Sequence, residues 1–213
     1  MPDVTAKLDQ RGVAMILPGL ASSELVQLRH DLTRRELIEP GLLPGIVLRA
    51  LDRSPQFLAA CLPRKVFPPR INRYSRGANY YGKHVDGAIR FTEGGMRVRT
   101  DVSCTVFLSD PTEYDGGELA VYEAGTTRHV KLPSGHAVLY PASHVHEVTP
   151  VTRGARMAAF FWVESMVRAD AQRQLLHEFD LALTQLRESA GDSDTTVALV
   201  GTYHNLLRMW AET

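Results

Sequence analysis

Between Arg70 and Glu164 the chain is cut into short β-rich runs: RINRY, VRTDVSCTVFLS, ELAVYE, HVKL, HAVLYP, HEVTPVT and RMAAFFWVE. The breaks are DPTEYDGG, AGTTR, LPSG, PASH and RGA. Runs rich in β-branched and aromatic residues, closed by clusters of Gly, Pro, Asp and Ser, read as strands joined by turns. No helical pattern interleaves with them, which argues against a parallel sheet, whose crossovers need helices. Roughly seven or eight short strands at this spacing predict a sandwich or barrel. The expected fold is mainly β with flanking helices around a double-stranded β-helix (jelly-roll, cupin-like) core.

The flanks read differently. From Ala21 to Ile38, Leu25, Leu28, Leu32 and Leu37 recur at near-helical spacing, and Ser22 or Ser23 stands where a cap belongs. This predicts an amphipathic helix with His30 on its wet face. EPGLLPG at 39–45 is expected to break it, with a second helix-like segment running to Ala60. Pro63, Pro68 and Pro69 then hand over to strand. After Val167, ADAQRQLLHEFDLALTQLRES puts Leu175, Leu176, Phe179, Leu183 and Leu186 on one helical face, and TTVALVGTYHNLLRMWAET reads as a further helix. The expected organisation is a helical region over 1–69 packing on the barrel, a core over 70–167, and C-terminal helices over 168–213 that offer a homodimer surface.

Lys plus Arg and Asp plus Glu both number 24, so the net charge is zero. That balance excludes the electrostatic footprint of a nucleic-acid or membrane-surface binder and points to a small-molecule or peptide substrate. The opening MPDVTAKLDQRG carries charges where a signal peptide needs an apolar stretch, and no apolar run approaches the ~18 residues of a membrane span. A soluble, cytoplasmic protein is expected. Cys61 and Cys104 each lie in an apolar run and read as buried free thiols of a reducing compartment.

The chemistry concentrates in two words. In YGKHVDGAIR, His84 and Asp86 are two positions apart, and on an extended segment they face one side and reach one cation together. In PASHVHEV, His144 and His146 alternate onto one face, so geometry alone allows either or both as ligands. His129 and His136 fit surface strand positions, and His177 and His204 lie in helical segments. An HxD pair with one distant histidine makes a two-His-one-carboxylate facial triad, which leaves Fe(II) positions open for an oxoacid and O2.

The words NRYSRGANYYGKHVD, VRTDVSCTVFLSD, YDGGELAVYE, VKLPSGHAVLYPASHVHEVTPVTRGARMAAFFWVESMVR and YHNLLRMWAE resemble the PKHD-type hydroxylases, relatives of prolyl and lysyl hydroxylases among the Fe(II)- and 2-oxoglutarate-dependent dioxygenases. The likeness runs from about Leu58 to the C-terminus. It implies iron ligands at His84, Asp86 and His146, with the distal carboxylate of 2-oxoglutarate held by Arg156, ten residues after His146. The same count from His144 reaches Gly154, which places His144 at the rim. Tyr74, ten before His84, is implied as a second contact to that carboxylate. The resemblance further implies O2 as co-substrate, L-ascorbate as reductant, and hydroxylation of an amino acid, a peptide or protein side chain, or a small metabolite. The rival expectation is a non-catalytic cupin-like iron-binding or iron-sensing protein. The N-terminal 20 residues and EPGLLPG depart from the family's usual opening.

Overall fold

The computed structural model describes residues 15–18 and 42–213. The helix expected over 21–38, with His30, lies outside the described residues.

The first described element is strand β1 (Met15–Pro18), followed by helices α1 (Leu42–Asp52) and α2 (Pro55–Cys61). EPGLLPG does not break structure throughout, because α1 begins inside it at Leu42. Pro44 falls in the first helical turn, where backbone N–H groups have no intrahelical acceptor and a missing one costs little. The segment expected to run as one helix to Ala60 is two. Ser54 caps α2 by accepting from the Phe57 N–H at 3.3 Å, with Pro55 at its first position. Leu62 then ends α2 in the left-handed region at φ 43°.

Among the described residues the strands after β1 begin with β2 (Pro63–Val66), β3 (Arg70–Tyr74), β4 (Tyr81–His84), β5 (Ile89–Phe91) and β6 (Arg97–Arg99). β7 (Val102–Phe107), β8 (Tyr114–Gly116), β9 (Leu119–Glu123) and β10 (Thr126–Val130) follow. The last are β11 (His136–Pro141), β12 (Val145–Val148), β13 (Val151–Gly154) and β14 (Arg156–Ser165). One antiparallel sheet runs β1-β11-β7-β14-β2, with β3 also on β14, and a second runs β10-β9-β12-β4. These are the two sheets of a jelly roll.

The region expected to be helical up to residue 69 therefore also gives β1 and β2 to the larger sheet. Both sit at its edges, where a four-residue strand is too short to show a period and Pro63 is tolerated as a first residue.

Between the sheets, Phe107, Val138 and Tyr140 of the larger meet Leu119, Val121, Val130 and Val148 of the smaller. On the other face of the larger sheet, Val102, Cys104, Val106, Ala159, Phe161 and Val163 pack against Ile46, Val47, Leu51, Phe57 and Cys61 of α1 and α2. Burial on both faces explains why β7 and β14 read as near-continuous apolar runs. Helices α3 (Asp170–Ala190) and α4 (Asp194–Trp210) close a third cluster around Leu62, Val167, Leu176, Leu183 and Tyr203. No described helix is long and apolar enough to cross a membrane.

Candidate active site

Antiparallel pairing of β12 with β4 sets His146 opposite His84, and the chain leaving β4 brings Asp86 to the same place. One ligand atom from each of His84, Asp86 and His146 lies within 4.8 Å of the other two. His146 Nε2 is 3.6 Å from Asp86 Oδ2, and the two imidazole centroids are 4.2 Å apart. Each ring is set by its own strand. His84 Nδ1 donates to the Gly82 carbonyl at 2.8 Å, and His146 Nδ1 to the His144 carbonyl at 3.0 Å. With Nδ1 carrying the proton, both rings turn a bare Nε2 lone pair to the common point. Burial holds the His146 pKa below its ordinary value, against the raising effects of the His144 carbonyl and Asp86, which favours the neutral form a metal needs.

His144 is not in this group. Its backbone N–H donates to the Pro141 carbonyl in a turn and its carbonyl orients His146, so its contribution comes from the main chain.

A cavity of about 270 Å3 between the sheets contains the three clustered residues and, on its wall, Arg156 and Tyr74. The pairing of β14 with β3 sets Arg156 directly opposite Tyr74. Two close glycine contacts fix the approach to Arg156: a Cβ on Gly154 would come within 2.1 Å of the Glu113 carbonyl, and one on Gly116 within 2.1 Å of the Pro150 carbonyl. Both glycines have positive φ, so no other residue fits the β8–β13 pair at these points.

The Arg156 side chain is 1% exposed. Its guanidinium lies 5.2 Å from the Phe107 ring centroid and 5.8 Å from that of Tyr74. Nη1 donates to Asn72 Oδ1 at 3.4 Å, while among the described residues Nε and Nη2 make no hydrogen bond, with the Tyr114 hydroxyl nearby. Burial lowers its pKa, and the surrounding Tyr114, Tyr74 and Tyr140 hydroxyls oppose that shift only partly. A guanidinium stays charged nonetheless, so two buried cationic N–H donors await an acceptor. Burial raises the Tyr74 phenol pKa, with Arg156 pulling it back, so its hydroxyl keeps its proton as a further donor.

Sequence reasoning did not single out several cavity residues. Ser103 Oγ donates to Asp86 Oδ2 at 2.5 Å and fixes that carboxylate. Tyr140 packs its ring 5.0 Å from that of His146, and Thr105, Arg70, Arg90 and Trp162 also line the space. For Ser103 and Thr105 the signal was present: they alternate with Val102, Cys104 and Val106 in a strand buried at every position. Polar side chains facing inward from such a strand belong to a site or to a polar network.

Residues 69–164 match the 2OG-Fe(II) oxygenase superfamily, and residues 170–212 match the PKHD-type hydroxylase C-terminal domain. A PKHD-type hydroxylase of Polaromonas sp. (strain JS666 / ATCC BAA-500) is 57% identical over 188 residues, covering 88% of this chain and 81% of the relative. Another, from Verminephrobacter eiseniae (strain EF01-2), is 59% identical over 172 residues, covering 80% and 76%. This chain belongs to the PKHD-type hydroxylase family. It is accordingly a 2-oxoglutarate-dependent Fe(II) dioxygenase. In fold, this PKHD-type chain is similar to the viral collagen prolyl hydroxylase of Paramecium Bursaria Chlorella virus-1, solved as its 2OG complex. The TM-score is 0.54 at 17% identity, over 75% of this chain and 99% of that one. The residues present suit the family's needs: two imidazoles with free Nε2 atoms and a carboxylate for a dication, and an orphaned buried guanidinium for a dicarboxylate.

Proposed function

We propose that this dioxygenase hydroxylates an unactivated C–H bond of a small-molecule or peptide substrate, with release of succinate and CO2. In this reading His84, Asp86 and His146 hold Fe(II), and Arg156 with Tyr74 holds the far carboxylate of 2-oxoglutarate. The observation that carries it is the Arg156 guanidinium, buried with Nε and Nη2 unpartnered among the described residues, in the cavity that also contains the clustered histidines and aspartate.

Bound iron supplies activation of O2, coupled to oxidative decarboxylation of the oxoacid. The protein's share is orientation and shielding. The carbonyls of Gly82 and His144 keep Nε2 of each imidazole aimed at the metal position, and Ser103 holds one oxygen of Asp86. The permanent charge of Arg156, with the Tyr74 hydroxyl, fixes the co-substrate at its unreactive end, so its oxoacid end is presented to the iron. Leu119, Tyr140 and Val148 line the cavity and continue into the apolar cluster between the sheets, which keeps water from its interior. Ascorbate is proposed as the external reductant, the cytoplasm as the location, and the C-terminal helices as a homodimer surface.

The test is succinate release by the Fe(II)-loaded protein with 2-oxoglutarate and O2 but no added substrate, quantified by mass spectrometry. Slow release above an Asp86→Ala background is expected, because oxoacid and O2 alone suffice for uncoupled turnover. Iron bound with no succinate above that background, with or without cell extract as a substrate source, would overturn the assignment.

A further inference from the structure

The cavity carries a second set of cations that the iron and 2-oxoglutarate contacts leave unused. Phe160 and Trp162 lie two residues apart on the inner face of β14, with ring centroids 5.6 Å apart, and Phe67 packs edge-on against Trp162 at 5.3 Å. This aromatic wall bears two arginines. The guanidinium carbon of Arg90 is 4.3 Å from the Trp162 centroid, and that of Arg70 is 5.2 Å from the Phe67 centroid. Both line the cavity. Among the described residues neither pairs with a carboxylate, and Arg90 Nε is buried without a hydrogen-bond partner. An arginine stacked on an aromatic face keeps its planar N–H edge free for a bidentate acceptor.

Charge narrows what that acceptor is. Among the described residues that line the cavity, Arg70, Arg90 and Arg156 face one carboxylate, Asp86. A bound iron dication and a 2-oxoglutarate dianion cancel each other, so the protein's own positive excess remains at Arg70 and Arg90. Arg70 is exposed and Arg90 half-buried, so a substrate bearing an ammonium or guanidinium group would meet like charge there, and a neutral one would leave the buried edge of Arg90 without a counter-charge.

We infer that the substrate carries a carboxylate on an apolar body, the carboxylate held by Arg70 and Arg90 and the body lying against Trp162 and Phe160. This rests on the proposed hydroxylase reading and specifies its substrate class.

The experiment uses protein loaded with Zn(II) in place of iron, to prevent turnover, and saturated with 2-oxoglutarate so that Arg156 is occupied. Three probes of one shape, 3-phenylpropionate, 3-phenylpropanamide and 2-phenylethylammonium, are titrated by ligand-observed NMR. The carboxylate should bind at least about tenfold more tightly than the amide, with the ammonium weakest. The Arg70→Gln/Arg90→Gln double variant should lose this preference while keeping its thermal midpoint and its zinc. Equal affinities, a reversed order, or a preference that survives in the double variant overturns the inference. Failure of the hydroxylase reading looks different: the wild-type protein would not take up 2-oxoglutarate in the same titration, whatever the order of the probes.

Discussion

Replacing Arg156 by Met separates a functional guanidinium from a structural one, because the two roles move stability in opposite directions. The side chain is 1% exposed, and among the described residues its Nε and Nη2 make no hydrogen bond while Nη1 donates to Asn72 at 3.4 Å. In the ligand-free protein it is therefore a desolvated cation with little to offset its burial, and an apolar chain of similar length should leave the thermal midpoint unchanged or raise it. With 2-oxoglutarate the balance reverses. Each charge-assisted hydrogen bond contributes about 1.5–3 kcal/mol, so two donors to one carboxylate give roughly 3–6 kcal/mol. Even the lower figure raises the Kd for 2-oxoglutarate by more than about a hundredfold. Calorimetric titration of 2-oxoglutarate into Mn(II)-loaded protein measures the second effect, and thermal unfolding without ligand measures the first. A variant that binds 2-oxoglutarate within about threefold of wild type, or that loses several degrees of stability without ligand, would show that the guanidinium serves packing instead.

Metal titrations should show His146→Ala losing Fe(II) affinity strongly and His144→Ala barely, since His144 acts through its carbonyl; equal losses would refute the assignment. Ser103→Ala should weaken metal binding by roughly 10–100-fold by freeing Asp86, with Ser103→Thr restoring most of it, and a Co(II) absorption spectrum unchanged in Ser103→Ala would contradict this. His177 is buried in the C-terminal helices with both ring nitrogens unpartnered among the described residues, and burial lowers its pKa from the ordinary 6.5, against the raising effects of Asp180 and Glu178. The unfolded chain therefore takes up the proton first, so stability is full above about pH 6.5 and declines as the pH falls toward the folded value. Urea melts across that range should show a smaller acid loss for His177→Leu than for wild type, and equal slopes would remove His177 as the cause.

Most strands of the core were legible because short runs with turn residues between them survive burial on one or both faces. But β8 lies inside DPTEYDGG and β10 starts inside AGTTR, both read as breaks, because short strands rich in Gly, Asp and Thr look like turns. The grouping was legible because period-two spacing places His84 with Asp86 on one segment, and the family likeness pointed to His146, which the structure sets beside them. β1 was not legible, since four residues at a sheet edge carry no period. Neither was the start of α1 within LLPG, where tertiary packing of Ile46, Val47 and Leu51 outweighs the breaker signal of Pro44 and Gly45. The aromatic wall was hidden for another reason. It joins Phe67 from the turn after β2, Arg70 from β3, Arg90 from β5 and Trp162 from β14, and only the folded sheets bring these four segments together.

Strand β14 is in effect a graduated ruler laid through the protein. Arg156 is marked at one end of its inner edge, and Phe160 and Trp162 are marked farther along, with the spacing fixed by the rise of an extended chain at about 3.3 Å per residue. Its other edge, through Ala159, Phe161 and Val163, is clamped to the helices. Neither end can slide relative to the other without a bulge that would also lift the clamped edge. A change in the size of the space beside this strand would therefore have to come from other elements, and the segment that carries Asp86 and Arg90 has exposed apolar side chains at Val85, Ile89, Phe91 and Met96.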